Sequence, residues 1–321
     1  MQHDDSADIR GFHMVGPADM AAIETPRPGV AGPGDVTVRL ELAGLCGSDR
    51  PGFVTGRNPL GGSPVGFPLH ECVGTVIEST TEPALVGKKV IAIPRADSGL
   101  TELFHAEIAK TYVLRHSLDD ETAILAQPLA TVLAAVDRLP DITGSRALVI
   151  GAGSIGLMFG YVLRQLGVDV LHGVDPQNRS GAPLVDHFDS LTTSIDSNIK
   201  YDLVVDAAGH NPELANIAVD AAAHRGTILA FGVPDDDVYA FHYKAFFRKC
   251  LTLVANVQPN WSTYLPLAED YLVAHPGMAE LVSHVVDIDK APSAYEAAFL
   301  QENPSRGKVL ISASSWLGDR A

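Results

Sequence analysis

Three side chains that can bind a metal ion occur in two short segments of the first half of the chain. Cys46 stands in GLCGSD (44–49), and His70 and Glu71 open HECVG (70–74). A thiolate and a neutral imidazole suit zinc, and a carboxylate can supply a third ligand. Three protein ligands leave a position open for water or a substrate oxygen, as catalytic zinc requires. Read separately, Cys46 could equally be a small buried apolar residue and the His70-Glu71 pair a surface feature.

A glycine-rich turn in the middle of the chain has the pattern GxGxxG. It follows an apolar segment (146–150) and precedes a helical pattern of about 155–166. Gly151 permits the tight turn, Gly153 lets the backbone approach a pyrophosphate, and Gly156 allows the helix to pack closely on the strand. The start of that helix offers free N–H groups and a favourable dipole to phosphates. We therefore predict a dinucleotide-binding turn whose contact residues are Gly151, Gly153, Ser154, Ile155 and Gly156.

An acidic residue follows at the spacing that this motif requires. Asp175 ends the next predicted strand, about 20 residues after the turn. Its carboxylate could accept hydrogen bonds from the adenosine ribose, and its charge would repel a 2′-phosphate, which favours NAD over NADP. Arg179, four residues on, leaves NADP open. The alternative is a turn without a ligand, in which Asp175 caps a helix.

Later strands of the same region also end in residues that could border a cofactor. Gly209 follows the predicted strand 203–206, and Gly232 and Val233 follow 227–231. Ligands of open α/β sheets lie at the carboxyl ends of the strands, so these residues could border the nicotinamide. They could equally be ordinary turn residues. Asn256, after the strand 251–254, is a similar candidate.

The elements around these motifs fall into two kinds. Residues 1 to about 118 read mostly as β structure, whereas strands and helices alternate from about 119 to 257, which predicts a parallel, doubly wound sheet. We predict a β-rich domain, 1–127 and 258–321, interrupted by a nucleotide-binding domain, 128–257. The predicted strands are 36–42, 72–77, 89–93, 146–150, 168–174, 203–206, 227–231, 251–254 and 308–311. The predicted helices are 119–126, 128–139, 155–166, 212–223 and 291–300.

Composition narrows the class of protein. The chain has 321 residues, a formal net charge of −16 and 46% apolar residues, which predicts a globular protein. The negative charge opposes binding to nucleic acids and acidic membranes, and no apolar run approaches the roughly 20 residues that span a bilayer. Three cysteines without a CxxC pair exclude a four-cysteine zinc site. The N-terminus has no leader pattern, so we expect a cytoplasmic protein. We further expect a homodimer or homotetramer that acts on a small molecule.

The order of the motifs resembles that of a known family. GLCGSD, then HExxG, then AQPLA (126–130) before the GxGxxG turn is similar to the zinc-containing medium-chain dehydrogenase/reductase superfamily, in particular its polyol and sugar dehydrogenases. The resemblance covers about 36–311 and implies a Rossmann domain inserted in a GroES-like catalytic domain. It also implies that Cys46 and His70 are zinc ligands and that Glu71 is a third, exchangeable one. Gln127 takes the fourth position, as a ligand, as a holder of metal-bound water or as part of the pocket lining.

The resemblance implies roles for two further residues and a reaction. Ser48 would relay the proton of the substrate hydroxyl, and Asp49 would orient His70 through its free ring nitrogen. The reaction would be oxidation of a secondary hydroxyl of a polyol, sugar or cyclitol with NAD, or the reverse. Alternatives are a zinc-independent NAD(P)H quinone or enone reductase and a non-enzymatic nucleotide-binding protein.

Two departures from the family pattern bear on the metal. Leu69 replaces the usual glycine before the histidine, and the four-cysteine lobe is replaced by PRADSG (94–99). We therefore expect one catalytic zinc ion per chain at most and no structural zinc.

Overall fold

The computed structural model describes residues 8–58, 61–256 and 258–318, which group into two units. The first unit comprises Met1–Gln127, Leu265–Gln301 and Lys308–Ala321, and the second comprises Pro128–Tyr264 and Glu302–Gly307. The predicted division instead assigned 258–264 and 302–307 to the β-rich domain. Every helix in the described part of the chain is too short or too polar to cross a lipid bilayer.

The first unit begins with a hairpin and a ring of four strands. Strands β3, β4, β5 and β6 pair antiparallel in that order, and β3 also pairs with β6, so the ring has no free edge. Val36, Val38 and Leu40 alternate along β3 into its core. The elements of this part are β1 (Ile9–Gly16), β2 (Asp19–Thr25), β3 (Asp35–Gly44), α1 (Arg50–Thr55), β4 (Glu71–Ser79), β5 (Lys89–Pro94), β6 (Leu103–Val113) and α2 (Asp120–Ala123). Helix α3 (Ala126–Val136) begins in the first unit, and from Pro128 its residues belong to the second.

The second unit is an open sheet of six parallel strands. Their order is β12-β11-β10-β7-β8-β9, so the order reverses between β7 and β10, where open α/β sheets bind ligands. Apolar residues of β7, β10 and β11, among them Leu148, Val204 and Ile228, form a core with α5. The elements are β7 (Arg146–Ile150), α4 (Ser154–Gln165), β8 (Val170–Val174), β9 (Ser190–Thr192), β10 (Tyr201–Asp206), α5 (Glu213–Ala221), β11 (Ala222–Ala230), α6 (Tyr243–Arg248) and β12 (Thr252–Ala255). The predicted fold class is confirmed.

The end of the chain adds two strands to the first unit. Strand β14 lies antiparallel to β3, with Leu310 opposite Gly44, and parallel to β13. This pairing brings the start of β14 close to the end of β3. The elements are α7 (Trp261–Ala274), β13 (Val282–Asp287), α8 (Ala291–Phe299), β14 (Lys308–Ser312) and α9 (Ser314–Gly318).

Each predicted strand and helix is found, most with shifted ends, whereas several observed elements were not predicted individually: β1, β2, β6, β9, β13, α1, α6, α7 and α9. The helix expected over 128–139 begins at Ala126 and ends at Val136, because Arg138 and Leu139 close i→i+3 turns ahead of Pro140. Helix α7 is not predicted, since Pro266 lies inside it and its apolar residues follow no clear helical face.

Candidate active site

The three predicted metal ligands lie together at one end of β3 and β4. The ladder between these strands pairs Gly44 with Glu71, so Cys46, just beyond β3, comes next to His70, just before β4. The ligand atoms of Cys46, His70 and Glu71 all lie within 4.8 Å of one another. Two motifs that are separated in the sequence thus form one cluster through strand register.

Asp49 holds the histidine ring in place. Its Oδ1 lies 2.7 Å from His70 Nδ1, and its Oδ2 accepts the backbone N–H of Cys46 at 2.9 Å. Asp49 is 2% exposed. Burial acts to lower the pKa of His70, but the Asp49 carboxylate and the Cys46 side chain outweigh it and raise that pKa well above its ordinary value. The arrangement leaves Nε2 as the ring atom that can bind a metal.

The hydroxyl of Ser48 lies between the two ligand side chains. Its Oγ donates to Cys46 Sγ at 3.1 Å and lies 3.3 Å from His70 Nε2. Ser48 itself is exposed. A hydroxyl that touches both the ligand atoms and solvent can receive a proton at the site and release it to water.

Glu71 has a buried counter-ion, and its predicted role as an exchangeable ligand stays a prediction. Its carboxylate is ion-paired with the ammonium group of Lys308, the first residue of β14, and the two side chains are 0% and 1% exposed. Burial acts to lower the pKa of Lys308, but the charge and hydrogen bond of Glu71, together with Cys46 and Asp49, outweigh it and raise that pKa. A Cβ atom on Gly44 would lie 2.6 Å from Glu71 Oε2, so glycine leaves room for the pair.

The residues present fit a zinc ion. They offer a thiolate sulfur, an imidazole nitrogen and a carboxylate oxygen, which are the usual ligand atoms of zinc. Glu71 Oε1 is buried and accepts no hydrogen bond within the described residues, so it retains a free lone pair next to the other two ligands. Gln127 is 5% exposed in the first turn of α3, and its role at the metal stays a prediction.

The glycine turn of the second unit has the backbone geometry that its motif predicts. Gly151 has a φ of +90°, which other residues rarely adopt. A Cβ atom on Gly156 would lie 1.8 Å from the Gly151 carbonyl oxygen, whereas one on Gly153 would meet nothing within 4 Å. Gly156 thus serves packing between strand and helix. Gly153 faces open space at the N-terminus of α4, where a phosphate could approach its backbone, and Ser154 and Ile155 form the first turn.

Asp175 follows β8 and is bonded to that turn. Its Oδ2 accepts the backbone N–H of Ala152 at 2.8 Å, and its Oδ1 accepts that of Gln177 at 2.9 Å. These bonds fix the carboxylate beside the turn, and each oxygen keeps a lone pair for a ribose hydroxyl.

The remaining predicted cofactor residues line one mainly apolar cavity of about 690 Å³ in the second unit. Gly209, Gly232, Val233 and Asn256 all border it. A Cβ atom on Gly209 would lie 2.2 Å from the Gly232 backbone carbon, so close backbone approach explains both glycines without a ligand. The Asn256 Nδ2 atom is buried and donates to no acceptor among the residues that the structure describes.

Known proteins that are similar to this chain include dehydrogenases of alcohols, sugars and polyols. Residues 32–110 match the alcohol dehydrogenase GroES-like domain. The chain is 25% identical to the glucose 1-dehydrogenase of Metallosphaera sedula, over 81% of this chain and 87% of that protein. It is 27% identical to the D-altritol 5-dehydrogenase of Agrobacterium fabrum, over 85% and 90%. Its fold is similar to that of the RspB alcohol dehydrogenase of Escherichia coli, solved with NADH, with a TM-score of 0.81 at 20% identity over 95% and 99%.

These similarities to alcohol, sugar and polyol dehydrogenases support the family resemblance inferred from the motifs. The segment that stands in place of that family's four-cysteine lobe runs beside the predicted metal ligands. Leu69 donates its N–H to the Asp97 carbonyl at 2.7 Å and accepts the N–H of Gly99 at 3.0 Å.

Sequence reasoning missed one residue of the candidate site, Lys308. The signal was a lysine at the first position of an otherwise apolar strand, KVLIS (308–312). A fully buried lysine needs a carboxylate partner, and Glu71 was the available one.

Proposed function

We propose that this protein is an NAD- and zinc-dependent alcohol dehydrogenase that interconverts a secondary hydroxyl of a polyol, sugar or cyclitol with the corresponding ketone. The observation that carries the proposal is the cluster of Cys46, His70 and Glu71, with Asp49 aligning the histidine ring. The two relatives named for a sugar and a polyol substrate support the substrate class.

The residues of the first unit have separate tasks in this proposal. Cys46 and His70 hold the metal, and Glu71 contributes a carboxylate whose charge is shared with Lys308. Bound zinc supplies a Lewis acid that lowers the pKa of a substrate hydroxyl. Ser48 Oγ, in contact with both ligand side chains and exposed, takes up the hydroxyl proton and passes it to solvent.

The second unit binds the nucleotide in this proposal. The turn 151–156 and the N-terminus of α4 accept the pyrophosphate, and Asp175 accepts the ribose hydroxyls, which favours NAD over NADP. A nicotinamide cofactor held by these residues would supply the acceptor for the hydride of the alcohol carbon. The Nδ2 atom of Asn256, which has no acceptor among the described residues, can donate a hydrogen bond to a polar group in its cavity.

Metal analysis and a substrate panel test the proposal. We expect one zinc ion per purified chain and chelator-sensitive, NAD-linked oxidation of polyols, sugars or cyclitols. Cys46→Ser is expected to lose both zinc and turnover, whereas Cys250→Ser, at an exposed cysteine of the second unit, keeps both. Turnover that persists without metal would contradict the zinc assignment.

One observation favours a metal-free reductase as the second candidate. The Glu71 carboxylate already has a counter-ion in Lys308, so its charge is balanced in the fold without a metal. Reduction of quinones or enones with NADPH, insensitive to chelators, would support this candidate. Cofactor binding without turnover of any alcohol, ketone, quinone or enone would support the non-enzymatic alternative.

A further inference from the structure

Arg179, the residue that left NADP open in the sequence, is engaged entirely with the backbone. It is 3% exposed. Its Nε donates to the Ala152 carbonyl at 3.0 Å, one terminal nitrogen donates to the Asn303 carbonyl at 3.0 Å, and the other donates to the Arg306 carbonyl. The guanidinium thus binds three carbonyls at once, each through a different nitrogen of its rigid, planar group.

The first of these carbonyls belongs to the glycine turn itself. Ala152 stands between Gly151 and Gly153, and its N–H is bound by the Asp175 carboxylate at 2.8 Å. The N–H and the C=O of this one residue are therefore both fixed by side chains from the loop after β8. Neither flanking glycine has a side chain that could restrict the backbone, so these two bonds replace that restriction.

The other two carbonyls are the ends of a single tight turn. Asn303 and Arg306 are joined by the Arg306 N–H, which donates to the Asn303 carbonyl at 3.2 Å, and Pro304 takes the second position, where proline fixes φ. Nearby, a Cβ atom on Gly181 would lie 2.6 Å from Ser305 Oγ, so the turn packs directly against the loop that carries Arg179.

We propose that Arg179 is a positioning residue for the cofactor pyrophosphate: it holds the 151–153 turn against the 303–306 turn, and it does not bind a 2′-phosphate. The proposal rests on the proposed nucleotide binding. A side chain that binds a 2′-phosphate must offer hydrogen-bond donors to solvent. Each guanidinium nitrogen of Arg179 instead already has a carbonyl partner in the interior. Binding is tighter when the turn is held in its bound conformation beforehand.

Cofactor titration of two variants tests this proposal. Arg179→Met keeps much of the bulk of the side chain and removes every donor, whereas Arg179→Lys keeps the charge and a single donor nitrogen without the planar geometry. Dissociation constants for NADH and NADPH are measured by nicotinamide fluorescence, below the unfolding temperature of each variant. We expect Arg179→Met to weaken binding of both cofactors by the same factor, about 10-fold. Arg179→Lys should lie between it and wild type.

Asp175→Asn is the matched control, because it is expected to change the ratio of the two affinities. If Arg179→Met lost affinity for NADPH but not for NADH, Arg179 would be a residue that binds the 2′-phosphate, and the proposal would be overturned. Unchanged NADH affinity in a folded Arg179→Met or Arg179→Lys protein would overturn the positioning role. If Arg179→Met does not fold, the result for Arg179→Lys decides. Failure of wild-type protein to bind either cofactor would instead refute the proposed function.

Discussion

The carboxylate of Glu71 and the ammonium group of Lys308 form an ion pair in the interior of the first unit. Glu71 begins β4 and Lys308 begins β14, and both strands flank β3. Charges in the interior are tolerated only when paired, because removal from water costs several kcal/mol per ion. The pair therefore decides how freely Glu71 can move toward a metal.

Removal of Lys308 should affect the metal-free protein most. Lys308→Met leaves the Glu71 charge unpaired, and we expect a loss of about 3–5 kcal/mol in the free energy of unfolding. The loss should be smaller in zinc-loaded protein, because Glu71 can then neutralise its charge on the metal. Urea unfolding with and without zinc measures both values.

The matched control is the double variant Glu71→Gln with Lys308→Met, which removes both charges and should recover part of the lost stability. A metal-free Lys308→Met protein as stable as wild type would contradict the buried pair.

Asp49 should control zinc affinity through His70. Asp49→Asn removes the charged acceptor at His70 Nδ1, and loss of such a partner typically weakens metal binding about 10–100-fold. Competition with a chromophoric chelator measures the change. Asp19→Asn, at an exposed position of β2, is the comparison and should change affinity far less. Equal effects of the two variants would argue against a specific role for Asp49.

Two glycines of the nucleotide turn should separate folding from cofactor binding. Gly156→Ala places a Cβ atom 1.8 Å from the Gly151 carbonyl oxygen. We therefore expect the free energy of unfolding to fall by roughly 1–3 kcal/mol, and cofactor binding to be lost with it. Gly153→Ala meets no neighbour, and its φ of −70° suits alanine. Its stability should be unchanged, while NADH affinity falls about 10-fold because the pyrophosphate meets the new methyl group. Thermal unfolding and NADH titration measure the two effects, and unchanged NADH affinity in Gly153→Ala would contradict phosphate binding at this turn.

The buried carboxylate of Glu269 should make stability depend on pH. Burial acts to raise its pKa, but the Tyr112 hydroxyl and the backbone N–H groups of His116 and Arg115 together lower it below its ordinary value of 4.5. A group with a lowered pKa stabilises the fold above its unfolded pKa and loses that effect as the pH falls through its folded pKa.

We therefore expect Glu269→Gln to lower the free energy of unfolding at pH 7 by about 1.5–3 kcal/mol, the range for hydrogen bonds to a charged group. The difference from wild type should shrink as the pH falls below about 4. Urea unfolding at several pH values checks this, with Asp270→Asn as the control at the exposed neighbour. A difference that does not change with pH would exclude the charge of Glu269 as its cause.

Local patterns were sufficient for much of the fold. The strand 146–150 is predicted with its observed bounds because a short apolar run ends at a glycine with positive φ. The cluster of Cys46 with His70 follows from the family resemblance, and the β3–β4 register explains it physically.

Other features depend on contacts that have no local signature. Lys308 meets Glu71 only because β14 joins β3, which a single apolar strand pattern cannot show. The partners of Arg179 are backbone carbonyls, which every residue has, so its sequence neighbours give no sign of them. The glycines at 209 and 232 suggested a ligand, whereas their contact with each other already explains why both are glycine.

Residues 302–307 belong to the second unit. This has a consequence for experiments that transfer the nucleotide-binding unit between related proteins to change cofactor preference. A chimera that transplants 128–264 alone would leave the 303–306 turn to the recipient, and Arg179 would meet foreign carbonyls. The smallest transferable module is discontinuous, with a six-residue second piece immediately before Lys308. Grafts that carry both pieces should retain native nucleotide affinity, and recombination points placed between them should be poorly tolerated.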